Sequence, residues 1–560
     1  MKSDKDHLLE KHIPLKNFGC FWLLLFGRIL EFSIVRRFWI SKQGIAKETT
    51  IGWRIFYKIS TGSKLISEMR RSRKLTTRNH GYLNSSDTLS AKSEKKEIPD
   101  TKFFGANEFD YLIIGSGPGG LACARELVKS GLNVLVIEAG SGENIQGTDC
   151  SLEQIMDSHW ENFGKNYLKS ESDISILQGR GLGGSTAISG MIIHRIPERC
   201  LVEMIEHFSN LGVKFGSGSY RECESEWIDN LNVSEPELLY PFASKSDYLR
   251  NMTKMSRAVL GCRDSGKCQI GCPNNGKNSL DQALYSELKR LGCKFLFNHH
   301  AQIKITEQGE AFALVSSGAT KSKFSIKSKC GVFLAGGAIS SPKLVKSAGF
   351  HSIVNRHNIR LNFGPSAAFL YSKPKIEIEK YLMGIEVFGE SEIKYASQSL
   401  PKELLLARLW PFSNNPKAEF ANIENWSIWT ASFASDGAGQ INTNSRSSKV
   451  GSFSLSDTDL EKFDVARCAL KRIGIELGAK RIVNLASIGS SHLFSTLSGY
   501  GPFVSFKKTR SQNLTNSHRL VCVDASIIPI AIGVNPILTI LTVSTLITRQ
   551  VLSEARLSQL

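Results

Sequence analysis

One stretch constrains this chain more than any other: Phe109 to Gly140, which reads FDYLIIGSGPGGLACARELVKSGLNVLVIEAG. Tyr111 to Ile114 has the length and composition of a buried strand, Gly115, Gly117 and Gly120 crowd the turn after it, and an Ala- and Leu-rich helix is predicted to about Lys129. Val134 to Ile137 reads as a second buried strand and ends in Glu138, 23 residues beyond Gly115. Strand, glycine turn, helix, strand and acid in that order make a dinucleotide-binding unit. One glycine allows a tight turn, one lets backbone approach a pyrophosphate, one lets helix meet strand, and the carboxylate suits a ribose hydroxyl. The unpaired N–H groups at the helix start face the phosphates.

The rest of the chain has to be compatible with that unit. Its 560 residues leave room for about two to four domains, and 41% hydrophobic with 22% charged residues is ordinary globular material. The net charge of +18 is lopsided, because 21 Lys and Arg stand against 11 Asp and Glu before Phe109, which puts about +10 in the N-terminal fifth. The body is only mildly basic, which argues against a nucleic-acid partner. The 12 cysteines are scattered and none lies in a CxxCH haem-attachment pattern. No small-residue cleavage site follows the first apolar run, so the chain reads as cytoplasmic, with reduced thiols and a membrane-associated variant of that location left open.

That apolar run, residues 18–40, carries Arg28, Glu31, Arg36 and Arg37, too many charges for a membrane-spanning helix. It reads either as a helix docking on the body or as one lying at a membrane interface. From Lys64 to Glu108 the chain turns polar and basic, as a linker or as a patch for anionic lipid. Contact with a membrane surface would run through residues 18–78.

A second glycine cluster follows the nucleotide unit. Ile174 to Pro197 reads ISILQGRGLGGSTAISGMIIHRIP, where Gly181, Gly183, Gly184, Ser185 and Ser189 leave space for a flat ligand against backbone N–H groups. Here the chain resembles the glucose-methanol-choline (GMC) family of FAD oxidoreductases, whose second signature is similar to GRGLGGSSxxNG. GVFLAGGAISSPKLVKSAGF, from Gly331, is similar to the family's return to the nucleotide fold. LVCVDASIIPIAIGVNPILTILTVSTLI, from Leu520, is similar to its C-terminal flavin-binding signature.

The resemblance implies an α/β chain with a Rossmann-like, parallel-sheet FAD-binding domain and an inserted antiparallel-sheet α+β substrate domain. On that basis residues 1–63 form an apolar and basic helical segment and 64–108 a basic linker. Residues 109–200, 256–350 and 485–560 build the FAD domain, with the active site in the last part, and 201–255 and 351–484 build the substrate domain. The segments KPKIEIEKYLMGIEVFG and NWSIWTASFASDGAGQINTN alternate as antiparallel strands do.

Removing hydride from an alcohol leaves a proton on oxygen, so such a site needs a base and a second group to hold that oxygen. The resemblance assigns the base to His492, in SIGSSHLFSTLSGYG, and the second role to Asn535, in GVNPILTI. Pro536 opens an apolar helix whose start can face an anionic reduced flavin. Asp524 and Ala525 match positions that hold the ribityl and phosphate region, Asp524 also reading as a helix cap. Ile303 matches a backbone contact to adenine. His194, His299, His300 and His518 have no such support and read as structural.

Several positions depart from the family pattern. Ser189 replaces an asparagine, and Ile188 replaces the histidine that binds flavin covalently in some members, so FAD is expected to be non-covalent. The HxxGT around the base is HLFST, and Leu361 to Tyr371 reads LNFGPSAAFLY where the family has an Asn and an Asp-His, so substrate or acceptor access differs. Cys262, Cys268 and Cys272, at spacings unlike metal pairs, read as structural or redox residues rather than metal ligands. Lys277 reads as a surface lysine, with a place near the cofactor as the alternative. The expected substrate is a small-molecule alcohol, and the electron acceptor is oxygen, a quinone or a protein. A non-oxidative or lost activity on the same fold, and a membrane or partner-binding module, are the alternatives.

Overall fold

The computed structural model describes residues 109–170, 173–235, 252–306, 310–317, 322–350, 359–375, 384–409, 412, 416–444, 447–485, 492–494, 497, 503–504 and 519–557. The expectations for residues 1–63, for 64–108 and for membrane contact through 18–78, together with His518, lie outside the described residues.

Strand β1 (Phe109–Ile114) is buried along almost its whole length. It leads through the glycine turn into α1 (Pro118–Lys129), which has Gly117 as its N-cap and a proline in the first position, where a missing N–H costs nothing. Strand β2 (Val134–Ile137) pairs parallel with β1. Helices α2 (Glu198–Asn210) and α3 (Ser217–Asn230) follow, then β3 (Lys294–Leu296), parallel to β2. Strands β4 (His299–Ile305) and β5 (Ala311–Ser317) form an antiparallel pair with the start of β6 (Lys323–Leu334). That twelve-residue strand changes character along its length. Its first half alternates exposed and buried residues beside β5, and its last four residues are wholly buried where it runs parallel to β1. A sheet covered on both faces needs an unbroken apolar run, whereas one wet on a face needs alternation. Helix α4 (Gly337–Ser347) follows at once.

The chain then builds a second sheet. Strands β7 (Arg360–Phe363), β8 (Ser366–Leu370), β9 (Ile385–Phe388), β10 (Lys394–Gln398) and β11 (Trp426–Ala434), helix α5 (Asp457–Glu476), and strands β12 (Arg481–Leu485) and β13 (His492–Phe494) come in that order. Every described pairing among these strands is antiparallel, in the order β12-β8-β11-β10-β9, with β7 bridging β11 and β13. Helix α5 starts from a capping box between Ser456 and Asp459. Strand β11 is buried on both faces, with Trp429, Ala431 and Phe433 in the cluster that includes α5 and Trp426 and Ile428 in a smaller cluster with Leu405 and Leu409. Finally β14 (Arg519–Cys522) returns to the first sheet beside β6, and α6 (Ile537–Leu557) packs on α1 and α3. The parallel order is therefore β14-β6-β1-β2-β3.

Tertiary pairing corrects three expected boundaries. Within residues 201–255, α2 and α3 belong to the nucleotide core, where Leu201, Met204, Phe208, Tyr220 and Trp227 are buried, and Trp227 Nε1 donates to Thr545 Oγ1 of α6 at 3.0 Å. Among the described residues of this span only the short strand Thr253–Lys254 joins the antiparallel sheet, through β9. Within 109–200, Tyr167–Lys169 leaves the nucleotide unit to pair with Lys449–Ser454, and Leu168, Ile174 and Ile176 pack in the second core. Strand β13, expected in the last FAD segment, pairs with β7 of the inserted sheet. Each reassignment follows from an apolar face that finds its partner far along the chain, which local pattern does not encode. Among the described residues no helix is long and apolar enough to cross a membrane.

Candidate active site

The first glycine turn separates the three jobs cleanly. A Cβ on Gly115, whose φ is +107°, would lie 2.3 Å from Ala335 O, and one on Gly120 would lie 2.0 Å from Gly115 O, so both are needed where backbone meets backbone. A Cβ on Gly117 would meet nothing within 4 Å, because Gly117 faces a cavity. The second glycine loop packs onto the first. A Cβ on Gly184 would sit 2.9 Å from Gly117 Cα, and Gly183 N donates to Ser116 O at 3.1 Å.

Glu138 ties the two loops together. Its Oε2 accepts from Ser116 N and Ser116 Oγ, both at 2.8 Å, and its Oε1 accepts from Gly140 N at 2.8 Å and Gly181 N at 3.1 Å. A carboxylate has about four lone-pair sites, so these donors fill it. Only the Ser116 hydroxyl can turn away, because Gly181 O lies 3.1 Å from the same oxygen. Swinging that one proton frees a lone pair of Glu138 toward the cavity it lines, which is what a ribose hydroxyl requires.

The cavity holds about 1300 Å³, more than the roughly 300–1,000 Å³ of a pocket for a drug-sized ligand. Its lining includes His300, Ala301 and Ser347, Gly117, Glu138, Gly184, Ser185 and Ser189, and Asp524, Ala525, His492, Asn535 and Pro536. The bare backbone at Gly117 and the Arg180 side chain in the same wall, whose Nε makes no hydrogen bond among the described residues and lies 4.0 Å from Glu161 Oε2, fit a long, anionic dinucleotide. Gly181 and Gly183 shape the second loop from behind, and Ser185 Oγ accepts from Gly179 N at 3.0 Å. Ser189 holds its own loop, donating to Thr186 O at 3.2 Å and accepting from Met191 N at 3.1 Å. Ile188 turns away into a small core with Ile145, Leu152 and Trp160.

Two sequence-derived positions, Ile303 and Lys277, come out differently. Ile303 does not line the cavity. Its N–H donates to Ser347 Oγ at 2.9 Å, and the Ser347 hydroxyl has Leu344 O at 2.8 Å and Ile303 O at 3.3 Å as acceptors, so helix α4 has taken the Ile303 N–H. Ala301, two residues earlier and hence on the same edge of β4, does line it. Lys277 is buried rather than on the surface, and its Nζ donates to the carbonyls of Ala187, of Cys268 at 2.7 Å and of Ser189 at 3.3 Å. It pins the cysteine loop to the second glycine signature. Asp524 lines the cavity and caps the turn after it: Oδ1 accepts from Ser526 N at 2.8 Å, while Oδ2 accepts from Gly337 N at 2.8 Å and Ser341 Oγ at 2.5 Å.

The cysteines near Lys277 are free thiols. Cys272 Sγ accepts from Gly276 N at 3.2 Å, Cys262 Sγ accepts from Asp264 N at 3.4 Å, and burial pushes the Cys268 thiol up to about 11. No group of three or more His, Cys, Asp or Glu among the described residues is arranged to hold a metal ion.

Several elements converge around His492 and Asn535. His492 comes from β13 and is partly buried. Its Nδ1 is buried and has no hydrogen-bond partner among the described residues, and the residue lines the cavity. Burial, then Lys394 and His194, push its pKa down to about 3. Asn535 sits in the turn before α6, and its Oδ1 accepts from Lys394 Nζ at 2.6 Å. Asn362 of β7 stands opposite His492 across the ladder and grips the Asn535 turn, accepting from Gly533 N at 2.9 Å and donating to Val534 O at 2.8 Å. Behind them lie Glu386 of β9 and His194, whose Nε2 is 2.7 Å from Glu386 Oε2. Burial and the Lys394 charge keep His194 neutral, against the pull of Glu386. Burial pushes Lys394 down to about 8 despite Glu386.

Sequence reasoning missed Asn362, Lys394, Glu386 and set His194 aside. Strand β10 is buried at four of its five positions, so no alternation marks Lys394 as facing a site, and LNFGP lacks the family's residues at that point.

The family model of the GMC oxidoreductases matches residues 109–363. An uncharacterised GMC-type oxidoreductase of Sinorhizobium fredii is 24% identical over 48% of this chain and 54% of its own length. A long-chain-alcohol oxidase of Arabidopsis thaliana is 26% identical over 45% of this chain and 36% of its own length. The chain thus spans about half the length, or less, of these relatives. A crystal structure of formate oxidase has the same fold, with a TM-score of 0.50 at 12% identity, covering 81% of this chain and 99% of that one. The matched region begins with β1 and ends with β7, taking in both glycine loops. Over residues 109–363 this chain thus matches the GMC oxidoreductases, a family of flavoproteins.

Proposed function

We propose that this protein oxidises the CH–OH group of an alcohol with non-covalently held FAD, His492 serving as base and Asn535 holding the substrate oxygen. The observation that carries this reading is that both residues, joined through Asn362, line one dinucleotide-sized cavity with polar atoms unspent. His492 makes no side-chain hydrogen bond among the described residues, and Asn535 uses only Oδ1.

Bound FAD supplies a two-electron hydride acceptor. The Gly117 and Gly184 loops, Glu138 and Arg180 would hold its pyrophosphate and ribose, and Asp524, Ala525 and Pro536 its other end. The Ile188 side chain offers no nucleophile and turns away from the cavity, which supports non-covalent binding. His492, kept neutral by burial, accepts the hydroxyl proton. Asn535 donates from Nδ2 to the oxygen as charge gathers there. The start of the 21-residue helix α6 adds a partial positive charge beside them. Ile192, Val450, Leu493 and Ile540 in the cavity wall favour an apolar alcohol, in keeping with the long-chain-alcohol oxidase among the relatives.

The test is the visible spectrum of the purified protein before and after anaerobic addition of butanol, decanol and benzyl alcohol. A flavin band that bleaches with one of them is the expected result. A flavin that none of them reduces would overturn the oxidative reading. Re-oxidation of the bleached enzyme by dissolved oxygen, by a quinone or only by added protein then identifies the acceptor.

A further inference from the structure

We propose that Lys394 is a positioning residue of this site, its ammonium fixing the Asn535 carboxamide so that Nδ2, and not Oδ1, is presented to the cavity. The inference deepens the oxidative reading and rests on it. An ammonium has three donors and no lone pair, so the atom of Asn535 that lies 2.6 Å from Nζ must be the oxygen. The amide is planar, and turning Oδ1 toward Lys394 leaves Nδ2 without a partner among the described residues. Asn535 borders the cavity, whereas Lys394, 4% exposed, stands behind it and does not.

The rest of the pocket behind Asn535 keeps the lysine in place. Lys394 lies opposite Phe388 in the β9–β10 ladder and Glu386 opposite Ala396, so the two charges are diagonal neighbours on one face of the sheet. Glu386 also accepts from His194, and His194 and the ring of His492 are the other titratable groups that feel the Lys394 charge among the described residues. The Asn535 backbone cannot follow a wandering side chain, because Asn362 grips the peptide on its N-terminal side.

A protonation switch follows. Below about pH 8 Lys394 is an ammonium and can only donate. Above it the amine carries a lone pair and can accept from Nδ2–H, so the amide is free to turn over. It would then offer the substrate oxygen an acceptor where a donor is needed. The group titrating is Lys394, with Glu386 favouring the charged form and burial opposing it.

The experiment compares wild type with Lys394→Met and Lys394→Arg, loaded with FAD. The readouts are the limiting rate of anaerobic flavin reduction by whichever of butanol, decanol and benzyl alcohol reduces wild type, and the crystal structure of Lys394→Met. Loss of one charge-assisted hydrogen bond corresponds to about a 10- to 100-fold slower limiting rate. The half-saturating alcohol concentration should change far less, and Lys394→Arg should recover part of the rate. Wild type should lose rate as pH rises through about 8, while Lys394→Met should be flat there. In the variant's crystal structure Asn535 should leave its position. An unchanged Asn535 together with an unchanged rate and pH profile would overturn the proposal. If no alcohol reduces wild type, the oxidative reading fails, and the position of Asn535 in Lys394→Met still decides whether Lys394 orients it. If Lys394→Met does not fold, a wild-type rate that stays level from about pH 6 to about pH 10 overturns it.

Discussion

Asn362 and His492 face each other across the β7–β13 ladder, and the carboxamide of Asn362 also brackets the turn that carries Asn535. One fully buried side chain thus sets the distance between two groups that arrive 43 residues apart on different elements. Asn362→Leu should leave Gly533 N and Val534 O without partners. Thermal denaturation should show a loss of about 1–3 kcal/mol for each buried group so exposed. Flavin reduction should fall further than the folded fraction does, since the spacing of His492 and Asn535 is what is lost.

Removing the base is the direct test of the chemistry. His492→Ala should keep a normal bound-flavin spectrum and slow its reduction by alcohol about 10²- to 10⁴-fold. Because burial holds the wild-type imidazole down to about 3, it is neutral across the ordinary working range. The wild-type reduction rate should therefore show no acid limb near the usual histidine value of about 6.5. Stopped-flow reduction across a pH series checks this, and a clear limb at that value would mean that His492 is solvated and charged.

The glycines of the first turn make a paired prediction about binding and folding. Gly120→Ala puts a methyl 2.0 Å from Gly115 O, backbone that cannot yield, and should cost about 1–3 kcal/mol or more through overpacking. Gly117→Ala meets nothing within 4 Å and should fold as wild type does. Its methyl would stand in the cavity, so flavin content, read from the visible to ultraviolet absorbance ratio, should drop. Equal loss of folding in both variants would contradict this division.

Glu138 offers a separate check on the cofactor side. Glu138→Gln replaces an oxygen facing N–H donors with an amide nitrogen, leaving at least one buried donor without an acceptor. FAD affinity should fall about 10-fold or more, measured by fluorescence of released flavin. Ser116→Ala removes only the hydroxyl that competes for Oε2, and should leave affinity equal or higher. Weaker binding in Ser116→Ala would mean that the hydroxyl itself contacts the ligand.

Much of this protein is written locally. Gly115, Gly117, Gly120 and Glu138 fall within one strand-turn-helix-strand unit, and their spacing alone implies where a dinucleotide lies, because the backbone there has few ways to fold. His492 and Asn535 were legible only through resemblance, since nothing in their own neighbourhoods says what they face. The contacts that complete the site join residues far apart: Lys394 to Asn535 over 141 positions, Asn362 to Val534 over 172, His194 to Glu386 over 192. No periodicity encodes such pairs. A lysine in a strand buried on both faces looks like any other interruption of an apolar run until the sheet closes over it. Only then do burial and the neighbouring carboxylate decide that it is held against an amide oxygen instead of reaching water.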